Sequence, residues 1–433
     1  MTVDTIYAPS TAVGGAIALI RVSGPLCPVI AREMLDRDVT EAPRMMRFVH
    51  MQDGDAVLDD GMACFLPGPG TYTGEDMLEL SCHGGSRTVA RLLERLSKTG
   101  ARPAEPGEFT KRAFLNGKMD LSEAEAVMDV VSARAEESLK AALDQLHGKL
   151  KERIVAVEEL LLDSLSAIDA AVDYPDEVEE DVSLALPESL NRAKREIDAL
   201  IAEGRQGRVL REGVYVALVG RPNVGKSSLL NALIGADRAI VTELPGTTRD
   251  TLDEETAFFG VPVRLVDTAG IRESQDVVEQ IGIDRAKTAL DRADVAVLLL
   301  DGTQALTEED EQLLTLTEGK TRLILRSKGD LLQTEDGFGD LTISAKTGEG
   351  LEELKRRIVA LSGAREGAAI TNERHIKALE NAAAALQHAG QVSELTLVAT
   401  DIRDALHHLG AITGRDVDGE LIDRIFARFC VGK

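Results

Sequence analysis

Apolar positions follow two different rhythms along this chain. In the first 118 residues, short apolar runs at 16–22 (AIALIRV), 62–66 and 77–81 (MLELS) predict strands, and 89–98 carries the spacing of an amphipathic helix. The expectation there is a compact α+β domain. From Leu121 the rhythm turns helical. Leu121, Ala124, Met128 and Val131 share one face, as do Ile154, Val157, Leu161, Leu165 and Ile168, which predicts two long helices packed as an antiparallel pair. The acidic stretch 173–181 (DYPDEVEED) is expected to break the helical run, with a third helix over about 187–203 continuing past Arg205, Arg208 and Arg211. Short apolar runs at 214–219, 263–266, 295–300 and 322–325 then read as strands, and helical spacing resumes at 375–386, 401–409 and 421–429 after a Gly-rich linker that follows Leu361.

The resulting organisation is multidomain: an α+β domain over 1–118, an all-α helical domain whose halves are 119–212 and 363–433, and a doubly wound α/β domain over 213–362 inserted between them. Domain termini usually lie close together, so such an insertion is tolerated.

The chemistry of the inserted domain begins with GRPNVGKSS, Gly220 to Ser228. It fits G-x-x-x-x-G-K-[ST] and lies between an apolar strand and a helix opening at 227–234, the context that distinguishes a phosphate loop from a chance match. Gly220 and Gly225 let the main chain approach a triphosphate, so the backbone from Asn223 and Val224 to Ser228 can surround it. Lys226 would reach the β- and γ-phosphates, and the Ser227 hydroxyl would ligate Mg²⁺. Downstream, Asp267-Thr268-Ala269-Gly270 closes a short strand. Its carboxylate can hold Mg²⁺ through water, and Gly270 can donate to the γ-phosphate. Ser327-Lys328-Gly329-Asp330 resembles the NKxD base reader of GTPases. A carboxylate at Asp330 accepts from N1–H and the 2-amino group of guanine, neither of which adenine offers. Ser327 stands where Asn is usual, and a hydroxyl bonds more weakly than a carboxamide. Ser344-Ala345-Lys346 resembles the loop that backs the guanine. The segment from Thr242, Glu243, Leu244, Pro245, Gly246, Thr247 and Thr248 to Arg249 and Asp250 has the Gly and Pro content and the position of a switch that orders around the γ-phosphate. Outside this context it reads as a plain surface loop. Where small GTPases of the Ras type place a water-orienting Gln, this chain has Ile271, so transition-state charge must be met by an arginine (Arg249, Arg272 or Arg285) or by a metal cation. Glu279 is the nearby carboxylate that could position water.

Composition narrows the partners. Acidic residues number 74 against 49 basic, a formal charge of −25, which repels nucleic-acid backbones except at local basic patches. Aromatics are 3% with no Trp, so stacking platforms for single-stranded bases are scarce. The four cysteines, Cys27, Cys64, Cys82 and Cys430, lack the spacing of a zinc site or a disulfide framework. The N-terminus lacks the pattern of a secretory leader, and no apolar run is long enough to span a membrane. A reduced, cytoplasmic protein is expected.

Several stretches together resemble the MnmE (TrmE) family of tRNA-modification GTPases, over essentially the full length. They are GRPNVGKSS, GTTRD, DTAGIRE, the N-terminal TGEDMLELSCHGG and PGEFTKRAFLNGKMDLSEAEA, and the terminal FCVGK. The resemblance implies a homodimer working with an FAD-dependent partner protein to install an aminomethyl-type group on C5 of the wobble uridine of certain tRNAs. It implies a one-carbon donor, 5-formyltetrahydrofolate or another reduced folate, in a pocket lined by Arg21, Glu79, Lys118 and Lys433, with an active-site role for Cys430. It further implies K⁺ in place of an arginine finger, held by Asn223 with backbone from Thr242, Leu244 and Thr247. Thr248 would be the switch threonine on Mg²⁺ and Glu279 the carboxylate that orients water. A ribosome-assembly or RNA-binding G protein is the alternative reading, although that class typically adds a basic appendage and this chain adds an acidic helical frame. A free-standing aminomethyltransferase would leave the nucleotide domain unexplained.

Overall fold

The computed structural model describes residues 4–133, 135–235, 253–267, 289–332, 338–363 and 370–433. The chain divides into two compact units, Met1–Met128 with Gly410–Lys433, and Asp129–Leu409.

The first unit is built on a six-stranded sheet of β1 (Ile6–Pro9), β2 (Ile17–Ser23), β3 (Arg47–Asp53), β4 (Ala56–Leu66), β5 (Met77–His83) and β6 (Arg102–Pro103), in the order β3-β4-β5-β2-β1-β6. The period of two sends Ala18, Ile20 and Val22 of β2, with Leu78 and Leu80 of β5, into one core. There they meet Ile30 and Met34 of α1 (Cys27–Met34) and Leu92 and Leu96 of α2 (Ser86–Ser97). Arg21 alternates to the opposite face, and the β2–β5 register pairs it with Glu79. Two further helices follow, α3 (Glu108–Leu115) and α4 (Leu121–Ser132).

The second unit begins with α5 (Glu136–Leu146), α6 (Lys149–Asp173) and α7 (Pro175–Glu212). Its sheet contains β7 (Val214–Val219), β8 (Asp253–Phe258), β9 (Val261–Asp267), β10 (Val295–Asp301), β11 (Arg322–Ser327) and β12 (Leu341–Thr342), in the order β12-β11-β10-β7-β9-β8. All neighbours are parallel except the edge pair β8–β9. Helices α8 (Lys226–Gly235), α9 (Glu308–Leu316) and α10 (Leu351–Ser362) belong to this α/β layer, and α11 (Glu373–Ala389) and α12 (Leu395–Thr413) follow it. Leu218, Val297 and Leu325 face one core while Ala217, Leu298 and Leu300 face another, so the central strands read as continuous apolar runs. The last helix of the chain, α13 (Gly419–Phe426), belongs to the first unit.

Two expectations are corrected. The break expected over 173–181 shrinks to a single residue, and the third helix opens at Pro175 rather than near 187. Only Tyr174 separates α6 from α7, and Pro175 takes the first helical position, where its missing N–H costs nothing. Asp176 in that first turn suits the positive helix end. The helix then runs 38 residues, through Pro187 rather than starting there. The antiparallel pair is therefore α6 with α7, joined by Ser164 to Ser189 (2.7 Å) and Arg153 to Glu203. The Leu121 series forms instead a helix of 12 residues whose Leu121 and Ala124 pack with Phe426 and Phe429 near the C-terminus. At the end of α7, Arg211 pairs with Asp129 at 2.9 Å and Arg208 lies 3.8 Å from Glu212, so carboxylates of the same unit offset both charges.

Candidate functional site

The phosphate loop leaves β7 at Val219 and re-enters regular structure at Lys226, the first residue of α8. A Cβ on Gly220 would stand 2.6 Å from the Leu299 carbonyl, so only glycine lets the loop pass over β10. Asn223 (φ 62°) and Gly225 (φ 108°) are left-handed, which folds the loop back toward the N-terminus of α8, the positive end of the helix. Lys226 is buried, and its Nζ donates to the carbonyls of Gly220 (2.5 Å) and Arg221 (2.7 Å). Val224 is buried, while Ser227 and Ser228 are exposed at the head of α8.

The base-reading turn lies directly beside this loop. Ser327 Oγ lies 2.7 Å from the Val224 carbonyl and 3.0 Å from that of Leu300. The serine in the asparagine position therefore ties the turn to the phosphate loop. Lys328 (φ 58°) sends Nζ to Asp301 Oδ2 at 2.6 Å, and the Thr303 backbone and hydroxyl donate to Asp301 Oδ1. Burial pushes the Asp301 carboxyl up, but hydrogen bonds from Lys328 and Thr303 outweigh it and hold the pKa below the usual value. Asp330 is exposed, with Oδ1 accepting from the Ser344 hydroxyl at 2.8 Å, and the Gly329 N–H donates to Ile343 O at 2.9 Å. Ala345 is half-buried and Lys346 exposed after it. Asn223 to Ser228, Ser327, Lys328, Asp330 and Ser344 to Lys346 are thus gathered at the C-terminal ends of parallel strands, where open α/β sheets bind ligands.

Of the remaining expected residues, β9 ends at Asp267. Thr242 to Asp250, Thr268, Ala269, Gly270, Ile271, Arg272, Glu279 and Arg285 lie outside the described residues, as do residues 364–369 of the expected linker. Motif spacing did not single out Arg221, Asp301 or Asp310, which hold these loops. Arg221 Nε donates to Asp310 Oδ1 at 2.8 Å, and Asp310 forms a capping box with Thr307. The signal was present in Thr307-x-x-Asp310, an N-cap pattern that fixes where the carboxylate stands.

In the first unit, Arg21 Nε and Nη2 donate to Glu79 Oε1 at 3.1 and 3.0 Å. The guanidinium stands 5.6 Å from the Tyr72 ring centre and 6.0 Å from that of Phe109, so an aromatic pair helps to position it. Lys118 Nζ donates to the Pro69 carbonyl at 3.0 Å. The C-terminal tail docks on the same unit: Gly107 N–H donates to Cys430 O at 3.3 Å and Ser10 Oγ to Gly432 O at 3.2 Å. Gly432 (φ 94°) passes so close that a Cβ there would lie 2.2 Å from the Pro9 carbonyl. Ala8, next to Pro9 on β1, is the register partner of Arg21, so the tail carrying Lys433 docks at the end of the strand that neighbours the one bearing Arg21. Burial pushes the thiols of Cys27 up to about 12 and Cys82 up to about 11 and also raises Cys64. Cys430 is the exposed thiol of the four.

Comparison with known proteins adds the following. Residues 5–118 match the family description "GTP-binding protein TrmE N-terminus" and residues 121–430 the description "MnmE helical domain". The tRNA modification GTPase MnmE of Natranaerobius thermophilus is 42% identical over 459 aligned positions, covering 100% of both chains. That of Enterococcus faecalis is 41% identical, covering 100% of this chain and 99% of its own. Among solved structures, Aquifex aeolicus Era bound to GDP.AlF4- is 28% identical over 40% of this chain and 66% of its own, with a TM-score of 0.29. The G domain of the T. maritima FeoB iron transporter is 30% identical over 34% of this chain and 98% of its own, with a TM-score of 0.27. With family matches along its whole length and relatives aligned end to end, the chain belongs to the MnmE (TrmE) family of tRNA modification GTPases.

Proposed function

We propose that this protein hydrolyses GTP in the course of tRNA modification, working with an FAD-dependent partner to place an aminomethyl-type group on C5 of the wobble uridine of certain tRNAs. The observation that carries the nucleotide half is the fixed Asp330. Its carboxylate is oriented by Ser344, in a turn that Ser327 ties to the phosphate loop. A guanine seated there meets an acceptor for N1–H and the 2-amino group while its phosphates reach the loop around Lys226.

The residues present fit the groups this function needs. Ser227 at the head of α8 offers a hard oxygen to Mg²⁺, with Thr248 as its partner on the switch. Asn223, left-handed at the bend of the loop, would hold K⁺ with backbone from Thr242, Leu244 and Thr247, which lie outside the described residues. That cation would supply charge where Ile271 cannot, with Glu279 orienting water, and pairing of two GTPase domains in a homodimer would complete its site. In the other unit, the Arg21–Glu79 pair beside Tyr72 offers hydrogen bonds to a pterin, and Lys118 and Lys433 offer charge to the glutamate tail of a reduced folate. The folate supplies a one-carbon unit, and Cys430, an exposed thiol, is the candidate nucleophile of that unit. Given the charge of −25, the flavoprotein carries most of the tRNA affinity.

Two measurements test this. GTP turnover by the purified homodimer is expected to be well above its sodium rate in potassium, since the smaller Na⁺ suits such a cage poorly, and equal rates would remove the cation mechanism. Mass spectrometry of wobble nucleosides after inactivation of the gene is expected to show loss of the C5 modification. Normal nucleosides with accumulating immature ribosomal subunits would instead select a ribosome-assembly role.

A further inference from the structure

The phosphate loop is anchored at two points. On one side the Val224 carbonyl meets Ser327. On the other, Arg221 leaves the loop and donates Nε to Asp310 Oδ1. Asp310 is unusual as a carboxylate: its side chain is 2% exposed, in the first turn of α9. Its second oxygen accepts from the Thr307 backbone and hydroxyl at 3.1 and 3.0 Å, so its orientation is set by the helix cap. The helix is itself fixed, with Leu313, Leu314 and Leu316 packed against the β7 and β10 side chains Ala217, Val219 and Leu298.

We propose that Asp310 is a positioning residue for the phosphate loop, acting through Arg221 on Lys226. The chain of contacts is short. Asp310 fixes the Arg221 side chain, Arg221 fixes its own backbone, and the Arg221 carbonyl is one of the two that orient the Lys226 ammonium, at 2.7 Å. Anchored at 221 and at 224, the intervening Pro222-Asn223 bend has little freedom to lose on binding, and pre-organisation of this kind appears as affinity. The pairing also settles what Arg221 does. Its charge is matched by a buried carboxylate, so the guanidinium acts as a strut for the loop and leaves the phosphates to Lys226.

The proposal rests on the guanine-nucleotide reading, so GDP binding by the unaltered full-length protein is measured first, and its absence would sink that reading alone. With binding present, GDP dissociation by stopped flow and kcat and KM for GTP are measured for Asp310→Asn and Arg221→Gln. Each is expected to speed GDP release about tenfold and raise KM comparably, with kcat within about twofold, because the anchor orders the loop before chemistry. The double variant should lie close to either single one, since both remove the same link. Arg221→Lys, which keeps a charged donor, should recover part of the loss. Thr307→Val removes the cap hydroxyl but keeps the backbone N–H that donates to Asp310 Oδ2. It should lower thermal stability while speeding GDP release much less than Asp310→Asn does. If Arg221→Gln releases GDP within twofold of the unaltered protein, or Thr307→Val speeds release as much as Asp310→Asn, Asp310 is merely structural and the proposal fails. Should Asp310→Asn not fold, the Arg221 pair of variants decides alone.

Discussion

Replacing Ser327 with alanine isolates the tie between the two nucleotide loops. The Ser327 hydroxyl stands 2.7 Å from the Val224 carbonyl and 3.0 Å from that of Leu300, and its single proton can serve one of them at a time. Val224 is 2% exposed and Ser327 5%, so water cannot readily replace the lost donor. Removing a buried hydrogen bond and leaving a carbonyl short of a partner costs about 1–2 kcal/mol. A bound guanine nucleotide is gripped by one loop at the base and by the other at the phosphates, so most of that cost should appear in binding. GDP affinity of the full-length Ser327→Ala protein, measured by calorimetry beside the unaltered protein, is expected to fall about five- to thirtyfold. A fall in melting temperature with GDP affinity unchanged within twofold would show that the hydroxyl serves only the fold, and would refute this reasoning.

Three further outcomes are expected. Asp330→Asn should lose at least about a hundredfold in GDP affinity while gaining xanthosine diphosphate, because a carboxamide can donate to the C2 carbonyl of xanthine, and a competition assay reads both. His83 lies 2.8 Å from Asp59 through Nδ1, and that hydrogen bond is the largest cause raising its pKa above 6.5. The stabilisation is therefore full below the unfolded pKa and lost as pH rises through the folded one. NMR titration of the imidazole should give a midpoint above 6.5 that drops in Asp59→Asn, and a midpoint of 6.5 or lower would refute it. Gly432→Ala places a methyl 2.2 Å from the Pro9 carbonyl and should lift the tail, weakening 5-formyltetrahydrofolate binding severalfold in calorimetry. Unchanged binding would place Lys433 outside the pocket.

The nucleotide unit was legible from sequence because its strands are buried on both faces and its loops carry spacing-defined motifs. Val214–Val219 matches the expected strand at both ends, and the helix expected to open at Ser227 begins one residue earlier, at Lys226. The helical region was misread for a specific reason. A proline and a run of carboxylates look like a long break, yet at a helix start both are favourable, so the break is confined to Tyr174 and the next helix opens at Pro175 rather than near 187. The anchors Arg221–Asp310 and Lys328–Asp301 were hidden because each joins residues 89 and 27 positions apart, and only the sheet order β11-β10-β7 brings them together. The role of Ser327 was half legible. Its departure from asparagine was evident, but its second function, reaching the Val224 carbonyl across 103 residues, was not.

The first unit holds a different lesson about order along the chain. Arg21, Glu79 and Lys118 come early, whereas Cys430 and Lys433 come last, and the unit is completed by Gly410–Lys433. Phe426 and Phe429, 2% and 7% exposed, fill a core with Leu121 and Ala124. Two buried phenylalanines contribute about 3–6 kcal/mol at the usual worth of such side chains, a large fraction of the stability of a typical domain. The tail is thus held by an apolar anchor at 426 and 429, by Gly107 at Cys430 and by Ser10 at Gly432, a sequence of contacts that leaves only the last side chain to be placed. A chain that ended before residue 410 would keep every residue of the nucleotide unit and lose both the anchor and the end of the candidate one-carbon site. On this physical ground, Phe-Cys-Val-Gly-Lys at 429–433 belongs with the N-terminal unit, although the whole of the second unit, Asp129–Leu409, separates the two in sequence.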